Sequence, residues 1–344
     1  MEEQVKDFVI TFSSILWEAF PFIVLGALVA GILEEMVPQQ AIAKIVPKSR
    51  LLAVMLGGGL GLIFPMCECG IVPIMRRLLR KGLPLGTCIA YMLAGPIINL
   101  VVIASTAVAF YPHGIGLEMV VLRVGIGFLI ACTTAAVVEF VLVPKHGDSL
   151  LTEVARPPKP SSNPLSLTVV EDTNEVHPAE NRAGESRPFF QRLGNISETA
   201  LHDFVDIMVF VILGSILAAM AKLFLTADQV SNLSMTYPAL AILAMMGLAI
   251  LLCLCSEADA FVAASFTTLH PSAKLAFLVL GPMFDLKLLL MYTRVFKRRL
   301  ILTIVSCVII QVFVYMMLVH VAWNALGLPT SSIGIEVPVA TENQ

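Results

Sequence analysis

Long apolar runs broken by short polar interruptions make up most of the chain. Residues 11–33 form a first run that Glu34, Glu35 and Pro38 end. At about 1.5 Å per residue it is long enough to cross a hydrocarbon core of about 30 Å. The next run, 51–66, is shorter than a crossing requires and carries Gly57, Gly58, Gly59 and Gly61. It predicts one arm of a re-entrant hairpin. Cys67, Glu68, Cys69 and Gly70 form the tip, and a return arm opens at 71–75 and closes on Arg76, Arg77, Arg80 and Lys81. Residues 84–110 are long enough to span, but Gly95 and Pro96 lie in their middle. A helix broken at mid-depth is expected there, because proline removes a donor and leaves a carbonyl that needs another partner. A further helix covers 119–143.

The pattern then stops. From Lys145 to Arg192 the chain turns to Pro, Ser, Asn, Glu and Arg, too polar to bury a core, which predicts a disordered linker over 145–200. Beyond it the pattern returns: a helix at 204–225, a short arm at 239–252, a polar stretch at 253–259, a return at 260–268, a run at 273–292 holding Gly281 and Pro282, and a last helix at 301–323. One ungapped shift of 186 residues lays Cys67 on Cys253, Cys69 on Cys255, Gly95 on Gly281, Pro96 on Pro282 and Asn99 on Asp285, while Glu68 falls opposite Leu254. The expectation is an all-α polytopic membrane protein with two repeats, 1–144 and 201–325, and a tail at 326–344. Each repeat has about three transmembrane helices plus a re-entrant or broken hairpin, eight membrane segments in total.

Composition excludes a soluble domain: 58% of the 344 residues are hydrophobic and 14% charged, with mean hydropathy +0.88. The formal net charge of −3 says little about partners. Nucleic acid is excluded for want of a basic patch, and no phosphate-cradling Gly-Lys-Ser/Thr loop is present. The N-terminus offers Glu2, Glu3 and Asp7 instead of a basic leader, so no cleavage is expected. Placing both termini outside puts Lys44, Lys48, Arg50, residues 76–81, the linker and Arg294 to Arg299 in the cytoplasm, as the positive-inside bias favours. With an odd number of crossings per half, the second repeat is inverted relative to the first.

In an inverted-repeat carrier the site lies at mid-membrane, where broken helices expose their ends. Candidate residues for substrate binding or coupling are Cys67, Glu68, Cys69 and Asn99 from the first half and Cys253, Cys255, Glu257, Asp259 and Asp285 from the second. Gly70, Gly95, Pro96, Gly281 and Pro282 are candidate hinge or break positions. Ionisable groups at membrane depth are costly and therefore functional candidates, although Asn99 and Asp285 equally suit the caps of restarted helices. A Cys-x-Cys pair offers soft thiolates to thiophilic species, and two such pairs facing each other make a four-sulfur cage. Packing explains Cys88, Cys132, Cys307 and most methionines; Met66 alone among the methionines adjoins the site. Lys287 and Arg123 read as cations that snorkel to the surfaces.

The block CECGIVPIMRRLLRKGLPLGTCIAYMLAGPIIN resembles the signature of the ArsP/YraQ-like predicted permeases. CSEADAFVAASF with GPMFD resembles the second-half signature of that family, and the similarity covers nearly all of both membrane halves. In the family a small residue commonly lies between the first two cysteines, where this chain has Glu68. The resemblance implies transport, with export of a trivalent organoarsenical, and hence arsenic resistance, as the leading substrate reading. It draws attention to Cys67, Cys69, Gly70, Pro96 and Asn99, and to Cys255, Glu257, Asp259, Pro282 and Asp285. The expected protein is an inner-membrane secondary transporter, without cofactor or resident metal, whose partners are a small-molecule substrate and the lipid bilayer. It works by alternating access, its carboxylates carrying protons. The alternatives are a permease for another soft species or a metal ion, and, from another class, a membrane thiol-redox enzyme.

Overall fold

The computed structural model describes residues 2–36, 47, 49–63, 66–152, 155, 189–224, 238–267 and 269–327. The order is α1 (Glu2–Met36), α2 (Arg50–Ile63), α3 (Glu68–Arg80), α4 (Leu85–Ala94), α5 (Leu100–Phe110) and α6 (Gly116–Val137), which a π turn extends (Val138–Leu142). Then follow α7 (Phe189–Phe224), α8 (Pro238–Leu252), α9 (Asp259–Ser265), α10 (Pro271–Met283), α11 (Leu286–Val295) and α12 (Arg298–Ala325). Among the described residues the β structure is one isolated bridge, Leu151 to Phe296. The chain is an all-α polytopic membrane protein. Among the described residues five helical stretches are long and apolar enough to cross a bilayer: Val5–Leu33, Gly116–Lys145, Gly194–Leu217, Pro271–Val295 and Arg298–Ala325.

The two halves have the same order of elements, and their packing is duplicated as well. Helix α2 packs on α4 and α6, as α8 does on α10 and α12. Across the halves, α3 meets α11 and α5 meets α9, while α1, α4 and α6 each touch their own counterparts α7, α10 and α12. Gly31, near the end of α1, abuts Ile196 and Ala200 near the start of α7, and Phe20 meets Phe204 edge-on. Those two helices therefore run antiparallel.

Burial sorts the helices into a centre and a rim. The Pro271–Val295 stretch is 83% buried, against 28–39% for the other four long stretches, so α10 and α11 form the centre with α4, buried from Gly86 onward. The outer helices expose apolar side chains such as Trp17, Leu117 and Ile310. Apolar burial drives little association in lipid, so close approach of backbones matters more. A methyl at Gly26 of α1 would lie 2.6 Å from the Gly70 Cα, and one at Gly61 of α2 would lie 2.5 Å from the Gly95 Cα. These small residues let α1 seat on α3 and α2 seat at the break after α4.

Each break is built differently. Helix α4 ends at Ala94, the Ile97 and Ile98 amides return to the Ala94 carbonyl (3.0 and 2.8 Å), and Asn99 restarts the chain as α5. In the second half Gly281 and Pro282 remain inside α10, and the extended backbone falls at Phe284 and Asp285. The first hairpin tip is also tighter than expected: Glu68, Cys69 and Gly70 already belong to α3, with Cys67 at its N-cap.

The first residues of the expected linker are helical or packed. Lys145 and His146 are helical. Leu150, Leu151 and Ala155 are buried, and the chain is fastened to the α11–α12 turn by Thr152 N–H to the Val295 carbonyl (3.1 Å) and Lys297 N–H to the Leu150 carbonyl (2.9 Å). At its other end, the residues from Phe189 are already helical in α7. The rest of the expected linker, 156–188, lies outside the described residues, as do Lys44, Lys48 and the tail from 328.

Candidate functional site

Four helices, α3, α5, α9 and α11, begin inside the bundle, and their N-termini bring polar groups to the middle of an apolar protein. Helix N-termini carry partial positive charge and unsatisfied amides, which suits carboxylates. Asn99 Oδ1 accepts from the Val101 amide at 2.9 Å and Asp285 Oδ1 from the Leu288 amide at 2.6 Å. Both residues therefore cap restarted helices. Glu68 and Asp259 stand in the first turns of α3 and α9.

Two buried ion pairs join the halves at this level. Lys287 Nζ donates to Glu68 Oε1 at 2.9 Å, reaches the Cys253 carbonyl at 3.5 Å and stands 3.8 Å from Asp285 Oδ2. Arg123 grips both oxygens of Asp259 at 2.9 Å, and also donates to the Ser256 carbonyl (3.1 Å) and to Thr106 Oγ1 (2.6 Å). Every side chain in the two pairs is at most 3% exposed. The sequence reading of Lys287 and Arg123 as snorkelling cations is thus corrected: a buried acid in the opposite half holds each of them in the interior. Under the 186-residue shift Lys287 falls opposite Val101, Arg123 opposite Ile309, Asp259 opposite Pro73 and Glu68 opposite Leu254. Each pair thus unites an acid and a base that the repeat leaves unmatched. That mismatch was the available signal.

The thiols gather on one side of this network. Cys67 and Cys69 are in side-chain hydrogen-bond contact and Cys255 lies within electrostatic reach, while Lys287 stands near Cys69 and Cys255. All three cysteines are buried. Cys253 departs from its counterpart. Its φ of 49° contrasts with −72° at Cys67; its sulfur turns to the Ile250 carbonyl, and it packs with Ile15 and Leu286. The left-handed backbone, which costs a non-glycine residue about 1 kcal/mol, accompanies a carbonyl turned toward Lys287. The four-sulfur cage is therefore not formed. Among the described residues no group of three or more His, Cys, Asp or Glu is arranged to hold a metal ion.

Glu257 keeps Oε1 buried without a hydrogen-bond partner, and its other oxygen lies 3.5 Å from Ser256 Oγ. Glu18 of α1, not singled out in the sequence, stands within electrostatic reach of Glu68 and Lys287. Its signal was a carboxylate in the middle of an apolar crossing. Of the break residues, Gly281 faces Asp259, a methyl there lying 3.9 Å from Oδ2. Pro96 lies in the turn after α4 and Pro282 in the last turn of α10. Gly70 serves the contact with α1 rather than a bend.

A small cleft opens between α3, α7 and α11, lined by Val72, Pro73, Ile207, Phe210, Met291 and Val295. At its mouth Asp206 pairs with Arg76 (3.4 Å) and Arg294 (3.3 Å), beside the fully buried Asp203, which holds Arg76 and Arg77. The opposite end of the bundle carries His270, whose Nδ1 lies 3.2 Å from that of His320, together with Ser272 and Asn324.

A helical bundle with broken central helices and charged pairs bridging two like halves defines a polytopic membrane protein. The chain belongs to the ArsP_1 family, described as a predicted permease, whose model matches residues 4–321. It is 35% identical over 309 residues to the UPF0718 protein YcgR of Bacillus subtilis, covering 90% of this chain and 95% of that protein. It is 32% identical over 311 residues, 90% and 94% of the two chains, to a Streptococcus mutans protein whose name makes it a candidate subunit of a two-component membrane permease complex. A shorter likeness, 25% over 99 residues (29% of this chain, 27% of the relative), links it to the UPF0718 protein MJ0584 of Methanocaldococcus jannaschii. No solved structure matches the chain.

Proposed function

We propose that the chain is an inner-membrane secondary permease that exports a thiophilic small solute, with a trivalent organoarsenical as the leading substrate, by alternating access of two inverted halves. The observation that carries this reading is that Cys67 and Cys69 from one half and Cys255 from the other are buried beside ion pairs that bridge the halves. Soft thiol donors suit a soft trivalent centre, and thiols from both halves let the solute be gripped and released as the halves move apart. Antiparallel packing of α1 against its own counterpart α7, with duplicated contacts elsewhere, supports the inverted arrangement.

The carboxylates divide by their partners. Asp259, held by both oxygens to Arg123, belongs to the scaffold. Glu257 and Glu68 each keep an unpartnered buried oxygen and are the candidates for carrying protons as access alternates. A redox enzyme would leave these acids without a role, and the family description favours a transporter over an enzyme. The name of the Streptococcus relative suggests that a second subunit joins the complex; copurification of a partner with the tagged chain tests that.

A growth panel in an export-deficient host tests the substrate reading. Protection against methylarsenite, none against zinc, copper or cadmium salts, and loss of protection in Cys67→Ser, Cys69→Ser and Cys255→Ser are expected. Cys253→Ser, whose sulfur points elsewhere, keeps protection. Protection against the metal salts alone would transfer the site to the metal-ion alternative.

A further inference from the structure

The cleft and the Glu68–Lys287 pair have a geometric relation that the permease reading does not use. Val72 of α3 lies one helical turn beyond Glu68, and Met291 of α11 one turn beyond Lys287; both line the cleft. Residues four apart on a helix share a face, so the pair closes the floor of the cleft, while Arg76, Asp206 and Arg294 stand at its mouth. Helix α7 forms the third wall, and at the level of the floor it presents Gly214, where a methyl would lie 2.9 Å from the Lys287 Cα. The lysine stem is thereby pressed between α7 and α3.

The lysine has two acids to choose from. Its Nζ sits 2.9 Å from Glu68 in the first half and 3.8 Å from Asp285 in its own half. Glu68 Oε2 and Asp285 Oδ2 are both buried and lack hydrogen-bond partners, although the two residues are 2% and 0% exposed. Buried carboxylate oxygens without donors are costly, and each points to an arrangement in which it is served. Asp285 is served when Lys287 moves toward it; Glu68 is served when it takes a proton. The other ionisable groups around the lysine are Glu18 from α1, Cys69 from α3, and Cys255 from the second hairpin tip; Glu257, the Arg123–Asp259 pair and Tyr292 surround the two acids. Carboxylates thus outnumber the two cations in this shell, so the assembly accepts a proton more readily than it gives up a lysine charge.

We propose that Lys287 is a two-position switch. It bridges the halves while Glu68 is ionised and shifts to Asp285 when Glu68 takes a proton from the cleft, so that α3 parts from α11 and the floor opens. The one bond made is the O–H of the Glu68 carboxyl, its proton given up by hydronium that becomes water; Lys287 stays an ammonium throughout, and Asp285 replaces Glu68 as its counter-ion. Proton uptake is thereby tied to access from the charged end of the bundle. The inference rests on the permease reading for its purpose, but its test needs no solute.

The test is alkylation of Val72→Cys by N-ethylmaleimide in the reconstituted full chain, without substrate, with peptide mass mapping to separate this thiol from the native ones. In the otherwise wild-type chain the rate, taken relative to that of a free thiol at the same pH because the thiolate is the reacting species, is higher in acid than in alkali. Adding Glu68→Gln makes it fast at both pH values. Adding Asp285→Asn, which removes the carboxylate of the alternative position, makes it slow at both. Lys287→Arg, which keeps the charge and guards against misfolding as an explanation, retains a pH response. A rate indifferent to pH in the parent protein, or an unchanged pH response in both carboxylate variants, overturns the switch. Failure of methylarsenite export with the switch intact would instead overturn the substrate reading.

Discussion

At the scale of residues, the energetics of the core turn on paired charges. Arg123 meets Asp259 through both oxygens, and breaking such a buried pair from one side costs about 3–5 kcal/mol because the remaining charge keeps its desolvation penalty. Arg123→Met is therefore expected to lower the thermal midpoint of the detergent-solubilised protein sharply, and Arg123→Met with Asp259→Leu to recover most of the loss. If the double variant is as unstable as the single, the pair has a further partner or a role beyond neutralisation. The thiols behave differently. Since Cys253 packs with Ile15 and Leu286 while Cys255 faces the other tip, serine at 255 is expected to affect export more than serine at 253, with little difference in thermal midpoint between them.

At the scale of elements, contacts between small residues seat the helices. Gly26→Ala puts a methyl 2.6 Å from the Gly70 Cα, backbone that cannot step aside; a cost of about 1–3 kcal/mol is expected, read as a lower thermal midpoint. Gly59→Ala, with nothing within 4 Å of the added methyl, serves as the control. Much of the element plan was legible in the chain. Runs of 11–33 and 301–323 read as α1 and α12, though both helices extend further. Gly95 and Pro96 marked the first break because proline stops the hydrogen-bond ladder there. The second break was misplaced by a few residues, since Pro282 sits close enough to the end of α10 for the helix to persist to Met283. What the sequence hid was pairing. Nothing local to Lys287 tells whether its stem snorkels or turns inward; that depends on Glu68, 219 positions away, and becomes visible only when both residues are found unmatched in the repeat.

At the scale of the whole molecule, the two ends of the bundle carry different polar groups. Arg76, Arg77, Arg294 and the bridge from Leu151 to Phe296 occupy one end, while His270 and His320 occupy the other. Inverted halves with external termini predict that Lys297→Cys is reached only by cytoplasmic reagent and Tyr111→Cys and Thr267→Cys only by external reagent. Labelling of all three from the same side would break the inverted arrangement. The strap at 147–152 is fastened beside the helix that carries Lys287. The central claim is that these halves move a thiophilic solute outward through the thiol cluster. Its most direct measurement is methylarsenite uptake into everted membrane vesicles energised by a proton gradient. Uptake that requires the chain, stops when a protonophore collapses the gradient and is lost in Cys255→Ser is the predicted result; vesicles holding the correctly inserted protein that take up no methylarsenite would contradict it.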